Sequence, residues 1–140
     1  ITNWLEEGSF EKNLEKILSD FHLDLEEVKT EKLYCVAGTM TSIGSMVLGL
    51  KSFEETKIHG LSIETSKIFN MIELYKSFSK TDFLVEFPFL GRRATTIYGG
   101  LTVATNIFNQ LGVELVEIST YGLRYGTLEE GRILDEHLVK

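Results

Sequence analysis

The sequence is poor in cysteine, proline and histidine: 140 residues include one cysteine, one proline and three histidines. A single cysteine, Cys35, excludes an internal disulfide. Its apolar neighbours predict a buried core thiol and not a nucleophile, because burial suppresses thiolate formation. The histidines have no cysteine or acidic partners at ligand spacing, so the residues predict no metal site. The sequence also contains no standard phosphate-loop, dinucleotide or nucleophile-elbow motif, and we assign no catalytic residue.

Basic residues are scarce as well. The chain has 14 Lys and Arg against 21 Asp and Glu, which gives a net charge of −7. This balance argues against a nucleic-acid or anionic-membrane surface, and we expect neither partner. No apolar run approaches the length of a membrane span. The chain begins with Ile1 and not with Met, from which we expect a fragment of a longer or processed protein.

The clearest organised stretch is an apolar run over residues 33–37 that ends at Gly38. A run without alternation predicts a strand buried on both faces of a parallel sheet. Small and hydroxyl residues follow, and they predict a helix over about 41–50. A strand that ends in a glycine turn at a helix start directs free backbone N–H groups at one spot, which favours an anion or a nucleotide. Many α/β turns share this pattern and bind nothing.

The remaining pattern predicts one domain with more helices than strands. Apolar residues at helical spacing predict five further elements: a helix capped by Ser9, a helix capped by Ser62, a short turn of helix at 81–82, a long helix over about 93–111 and a terminal helix from 127. Three phenylalanines, at 83, 87 and 89, predict a satellite cluster. Only residues 113–118 predict a second strand. Two strands are too few for a sheet, so either a strand is hidden or the chain belongs to a larger fold, and we favour the larger fold.

Two features of the long helix suggest close contacts. Gly99 and Gly100 each cost roughly 1 kcal/mol against alanine inside a helix, so we expect a close approach there, for which packing alone is the simplest explanation. Arg93 lies at the predicted start of this helix, where the helix dipole disfavours a cation. It is either a ligand of a phosphate or carbonyl group or an ordinary surface arginine, and the residues alone favour the surface arginine.

Four short stretches together resemble the exopolyphosphatase/guanosine pentaphosphate phosphohydrolase (Ppx/GppA) family. Residues 36–42 (VAGTMTS) are similar to the family's strand and G-T-[AM]-T-[ST] turn, and residues 58–62 (IHGLS) to its H-G-x-x-L-S element, two residues shorter here. Residues 93–100 (RATTIYGG) resemble its R-A-D-x-x-x-x-G-A helix. Residues 118–126 (ISTYGLRYG) resemble its V-S-x-x-G-L-R-x-G turn. The order and spacing match over roughly residues 30–130.

The resemblance implies an α/β fold of the ribonuclease-H-like type, as in the sugar kinase/heat-shock protein/actin superfamily, with helices packed on a small sheet. Residues 1–140 would form a single unit, the C-terminal part of the second domain. The family hydrolyses terminal phosphoanhydrides of inorganic polyphosphate or guanosine pentaphosphate (pppGpp) with Mg²⁺. The D-x-G-G-G-S phosphate loop, the catalytic glutamate and most metal ligands would lie outside this piece, which we expect to be inactive alone. The full-length protein would be a cytoplasmic bacterial homodimer.

The resemblance also implies substrate-binding roles for five residues. Gly38 and Thr39 would line the cleft, Arg93 would reach the nucleotide or the trailing phosphates, and Gly99 and Gly100 would permit close helix approach. One departure concerns Thr95, which replaces the acid of the family's R-A-D motif. If that acid orients the arginine, the role of Arg93 must be supported differently here.

Two other classes of function remain open at this stage. The first is a noncatalytic nucleotide- or alarmone-binding module of the same fold. The second is a purely structural α/β domain whose glycines serve packing.

Overall fold

The computed structural model describes residues 31–122, together with Asn13 and Tyr125. The helices predicted from Ser9 and from residue 127 therefore lie outside the described residues, apart from Asn13. Among the described residues, no helix is both long and apolar enough to cross a membrane.

A three-stranded mixed sheet lies at the centre of the described structure. Its strands are β1 (Lys32–Cys35), β2 (Leu61–Glu64) and β3 (Leu115–Ile118), arranged in the order β1-β3-β2. The two predicted strands, β1 and β3, pair in parallel, whereas β2 pairs antiparallel to β3. Strand β3 is the central strand, and its residues Val116 and Ile118 are completely buried in the core. The predicted α/β architecture with helices on a small sheet is confirmed.

The third strand corrects the prediction that Ser62 caps a helix. Ser62 lies inside β2 opposite Glu117, and the following helix begins at Thr65. Residues 61–64 alternate between an inner and an outer face, with Ile63 buried and Ser62 exposed, and this period of two is typical of a strand. The buried Thr65 hydroxyl donates to the carbonyl of Val113 at 2.9 Å, which fixes the helix start beside β3. The hidden strand thus supplies part of the sheet that two strands alone could not form.

Within residues 31–122, five helices and a 3₁₀ segment surround this sheet. They are α1 (Ala37–Val47), α2 (Glu55–Ile58), α3 (Thr65–Tyr75), α4 (Lys80–Glu86), the 3₁₀ segment (Pro88–Thr95) and α5 (Ile97–Leu111). Helix α1 begins four residues earlier than predicted. The short helix α2 lies within the polar stretch of residues 51–60, between α1 and β2. Gly112 ends α5 in the left-handed conformation that glycine favours, with φ of 62°.

The long helix predicted over 93–111 is wrong at its start. The chain is helical in the 3₁₀ form up to Thr95, and Thr96 (φ −122°, ψ −10°) separates this segment from α5. Gly91, with φ of 51° and ψ of −122°, adds a kink. Arg93 therefore lies in the last turn of the 3₁₀ segment and not at the first turn of α5, so its position relative to a helix dipole has to be found in the tertiary structure.

Two predictions about burial are also corrected. Strand β1 is not buried on both faces by the described residues, since it lies at one edge of the sheet and Tyr34 is 65% exposed. The phenylalanines do not form a satellite cluster. Phe83 and Phe87 belong to the main core, where each ring lies with its centroid 5.7 Å from that of Tyr75, and Phe89 packs against this core.

The central position of β3 leads to a stability prediction. Ile118→Ala removes a side chain that is 0% exposed, and we expect it to lower the free energy of unfolding by about 2–5 kcal/mol. Val85, which is 74% exposed on α4, provides the control, since Val85→Ala should change the free energy of unfolding by less than about 0.5 kcal/mol. Urea unfolding followed by circular dichroism measures both. Equal effects of the two substitutions would contradict the assignment of β3 to the core.

Candidate functional site

The candidate site begins at the sharp turn between β1 and α1. Val36 is extended, and Ala37, the next residue, has φ of 73°, the left-handed conformation that costs a non-glycine residue about 1–2 kcal/mol. The chain then enters α1 at once. A strained residue persists only where the surrounding structure holds it in place, and such residues are concentrated at functional sites. The strained turn brings the amino end of α1 to the carboxyl edge of the sheet.

The amino end of α1 has the positive end of the helix dipole and no negative partner among residues 31–122. Among the described residues, no side chain caps the helix at Val36, and its first turn contains no acidic residue. The hydroxyls of Thr41 and Ser42 donate to the Gly38 carbonyl, at 3.2 and 2.7 Å, and so do not cap the N–H groups. The uncapped N–H groups of a helix's first turn, together with its dipole, are suited to bind an anion.

The guanidinium of Arg93 lies over this same turn. A Cβ atom placed on Gly38 would be 2.5 Å from Arg93 Nη2 and 2.7 Å from its Cζ, so the guanidinium occupies the space that a side chain at position 38 would need. Arg93 Nη1 also donates a long hydrogen bond of 3.4 Å to the buried Ser42 Oγ. Within the described part of the chain, no carboxylate lies within 4.0 Å of this guanidinium. Two sources of positive potential therefore meet at Gly38.

Thr95 replaces the acid of the family's R-A-D motif, but Arg93 still has a side-chain contact. The Thr95 hydroxyl donates to the Arg92 carbonyl at 3.0 Å, so it stabilises the 3₁₀ turn. The contact to the Arg93 guanidinium comes from Ser42 on α1, a residue to which the sequence assigned no role. In the sequence, Ser42 is marked only by its place in the VAGTMTS stretch. Its partner Arg93 lies 51 residues further along the chain, and no local pattern connects the two.

The two adjacent glycines of α5 lie in a different contact. A Cβ on Gly100 would be 2.6 Å from Thr39 Cγ2, so Gly100 allows α5 to pack closely against the start of α1. Gly99 is buried in α5. The structure thus brings Gly38 together with Arg93, and Thr39 together with Gly100. The expected close helix approach is present at Gly100, and it is a packing contact.

A cleft of about 430 Å³ opens beside the Gly38 turn. On the α1 side, it is lined by Ala37, Gly38 and Thr41, and its other lining residues are Phe53, Glu55, Thr120, Gly122 and Tyr125. The turn after β3 reaches the cleft because Ser119 N donates to the Cys35 carbonyl at 2.8 Å, which continues the parallel pairing with β1. The turns after β1 and β3 therefore meet at one edge of the sheet, where ligands bind in open α/β sheets.

Contacts between α2 and the β3 turn hold the far side of this cleft. Thr120 donates its backbone N–H to His59 Nδ1 at 3.3 Å and its hydroxyl to Glu55 Oε1 at 3.0 Å. The ring centroids of His59 and Tyr121 are 4.2 Å apart. The two family-like stretches that contain His59 and Thr120 thus form one structural unit, which the sequence did not predict.

The described residues of the site include no activated cysteine nucleophile. Cys35 is buried as predicted, and burial raises the pKa of its thiol to about 11, so almost none of it is thiolate at neutral pH. The described residues contain no group of three His, Cys, Asp or Glu side chains that could hold a metal ion. The only described carboxylate that lines the cleft is Glu55. These described residues do not fit a Mg²⁺ site.

Comparison with solved structures identifies the fold. The chain superposes on the Ppx/GppA phosphatase of Aquifex aeolicus, in its type II variant, with a TM-score of 0.72 and 21% identity, over 91% of this chain and 41% of that one. A second structure of the Aquifex aeolicus family member matches with a TM-score of 0.72 and 21% identity, over 90% of this chain and 40% of that one. An exopolyphosphatase-like protein matches with a TM-score of 0.69 and 14% identity, over 94% of this chain and 42% of that one.

These similarities show that the chain has the Ppx/GppA phosphatase fold, which confirms the fold implied by the sequence resemblance. The chain spans about two fifths of the length of the solved proteins it matches. No protein-family model matches the sequence, and no curated protein matches it by sequence.

The contact between Gly100 and Thr39 predicts a specific pattern in a double-mutant cycle. Gly100→Ala alone should destabilise the protein, by about 1–3 kcal/mol, because its methyl group would collide with Thr39 Cγ2. Thr39→Ser removes that methyl group, and the nearest remaining atom would be Oγ1 at 3.5 Å. In the Thr39→Ser background, Gly100→Ala should therefore be neutral or stabilising, because alanine is the better helix former. Urea unfolding of the four proteins measures the coupling, and additive effects would refute a packing role for Gly100.

Proposed function

We propose that this chain is the substrate-holding part of a phosphohydrolase of the Ppx/GppA family, which hydrolyses terminal phosphoanhydrides of inorganic polyphosphate or pppGpp. The fold and the ordered set of motif-like stretches support membership in that family. The 40–42% share of the solved chains that it spans supports a part and not the whole of such an enzyme. The proposal concerns the complete protein's activity, to which this chain would contribute binding.

The observation that carries the proposal is the position of Arg93. Its exposed guanidinium lies over the uncapped amino end of α1, where the helix dipole repels a cation. An arginine in this position is favourable when an anion lies between the two positive groups. Phosphate oxygens fit this requirement, since they accept hydrogen bonds from both the planar guanidinium and the backbone N–H groups.

In this proposal, these 140 residues hold the linked phosphates of the substrate, and other parts of the enzyme perform the hydrolysis. Arg93 and the N–H groups after Ala37 would stabilise negative charge on the phosphoryl oxygens, which develops further in the transition state. The catalytic glutamate, the phosphate loop and most Mg²⁺ ligands would lie outside these 140 residues, so this chain would be inactive alone. Glu55, which lines the cleft, accepts a hydrogen bond from Thr120 and is assigned no catalytic role.

A noncatalytic nucleotide- or alarmone-binding module is the second candidate. It is favoured by the composition of the cleft, whose described residues supply contacts for an anion and no pair of carboxylates for acid-base chemistry. Both candidates require the same anion site. A glutamate in the cleft of the complete protein that is needed for phosphate release would separate the enzyme from the module.

A binding experiment tests the anion site. Arg93→Gln should weaken binding of tripolyphosphate about tenfold or more, because a hydrogen bond to a charged group contributes about 1.5–3 kcal/mol. Arg92→Gln is the matched control, since Arg92 is also exposed and the charge change is identical. Isothermal titration calorimetry at low salt, without divalent metal, measures binding directly and does not depend on hydrolysis.

A third variant separates the position of the arginine from its charge. Gly38→Ala keeps Arg93 but places a methyl group where the guanidinium lies, so we expect a similar loss of affinity. The loss should occur without unfolding, because the end of a flexible side chain can move away. Equal weakening by Arg92→Gln and Arg93→Gln would contradict the proposed site and would indicate attraction by net charge only.

A further inference from the structure

Helix α1 contains two buried serines that differ in one contact. Ser42 is 1% exposed and Ser45 is 0% exposed. The Ser42 hydroxyl donates to the Gly38 carbonyl at 2.7 Å, and the Ser45 hydroxyl donates in the same way to the Thr41 carbonyl at 3.0 Å. A helical serine commonly satisfies its hydroxyl by such a bond to the preceding turn. Ser42 has a further contact outside the helix, because its Oγ accepts a hydrogen bond from Arg93 Nη1 at 3.4 Å.

The bond to Gly38 fixes the direction of the contact between Ser42 and Arg93. A serine hydroxyl has one hydrogen to donate and two lone pairs that can accept. The hydrogen of the Ser42 hydroxyl is used in the short bond to the Gly38 carbonyl, so its Oγ can only accept from the guanidinium. A guanidinium has several N–H groups, and the contact at Nη1 leaves the others for a ligand.

A neutral acceptor holds Arg93 without cancelling its charge. A carboxylate would bind the guanidinium more strongly, but its negative charge would repel a phosphate at the same place. Among residues 31–122, the guanidinium contacts the Ser42 hydroxyl, and no carboxylate lies within 4.0 Å of it. The full positive charge of Arg93 therefore remains beside the amino end of α1.

A guanidinium that is in place before a ligand arrives gives the site a higher affinity. An exposed arginine side chain has many rotamers, and a ligand that needs one of them must order the side chain when it binds. Gly38 leaves the space in which the Arg93 guanidinium lies, and the buried Ser42 places a fixed acceptor beside that space. The two α1 residues thus have different tasks, one steric and one polar.

From these contacts, we infer that Ser42 is a positioning residue of the anion site, whose hydroxyl holds the Arg93 guanidinium over the first turn of α1 and leaves its charge to the ligand. This inference rests on the proposed function, because it assumes that phosphate binds at Arg93. It extends that function by making the affinity depend on a buried hydroxyl that acts through Arg93.

The Ser42→Ala variant tests this role by calorimetry with tripolyphosphate, without divalent metal. We expect the affinity to fall about three- to tenfold, the range that corresponds to the net contribution of one hydrogen bond. The salt dependence of the affinity should remain that of the unmodified protein, because Ser42→Ala removes no charge. Arg93→Gln should reduce the salt dependence, because it does remove a charge.

Two further variants serve as controls for this measurement. Ser45→Ala removes an equally buried hydroxyl from the same helix, one that donates to Thr41, and should change the affinity less than about twofold. Ser42→Thr keeps a hydroxyl at position 42 and should restore most of the affinity that Ser42→Ala loses. Urea unfolding checks that each variant is folded.

A double-mutant cycle shows whether Ser42 acts through Arg93. In the Arg93→Gln background, Ser42→Ala should change the affinity less than about twofold, because the group that Ser42 positions is already absent. Equal losses in the two backgrounds would overturn the inference, since Ser42 would then affect binding only through the structure of α1.

The outcomes distinguish this inference from the proposed function. If Arg93→Gln weakens binding but Ser42→Ala does not, the positioning role is refuted and the anion site is supported. If Ser42→Ala and Ser45→Ala weaken binding equally, the positioning role is again refuted, because the loss then reflects the helix. If the unmodified protein does not bind tripolyphosphate, or if Arg93→Gln binds it equally well, both the positioning role and the anion site are refuted.

Discussion

Gly38 has no side chain, and the site depends on this more than on any other feature. The guanidinium of Arg93 occupies the space that a Cβ at position 38 would need, and it lies there over the uncapped first turn of α1. Two positive groups at one place are unfavourable unless an anion joins them. The contact therefore connects the backbone geometry of one residue with the proposed binding of phosphate.

The sheet places the remaining parts of the site around this contact. Because β1 and β3 are parallel neighbours, the turns that follow them meet at the same edge. Strand β2 pairs on the other side of β3, and Gly60 N, just before it, donates to the Ile118 carbonyl at 2.8 Å. Through this pairing, His59 and Glu55 contact Thr120. One side of the cleft thus comes from α1, and another from the segment between α1 and β2.

Sequence patterns predicted much of this arrangement where local chemistry decides the structure. The apolar run before Gly38 and the strand predicted over residues 113–118 have local causes, and the structure contains strands at Lys32–Cys35 and Leu115–Ile118. Strand β2 was missed because four alternating residues directly precede a helical pattern, and Ser62 resembles a cap. Arg93 was placed in the wrong element because apolar periodicity does not distinguish a 3₁₀ segment from the helix that follows it. Its contacts with Gly38 and Ser42 join residues more than 50 positions apart, which no local pattern records.

Nuclear magnetic resonance tests the central claim most directly, because it reports where an anion binds and not only whether it binds. Tripolyphosphate is titrated into the ¹⁵N-labelled protein without divalent metal. The account predicts that the amide signals of Gly38 and Thr39 and the Nε–H signal of Arg93 shift together with one dissociation constant, while the Nε–H signal of Arg92 does not shift. Binding that shifts the signals of Arg92 or of exposed lysines, and leaves the Gly38 amide unchanged, would contradict it.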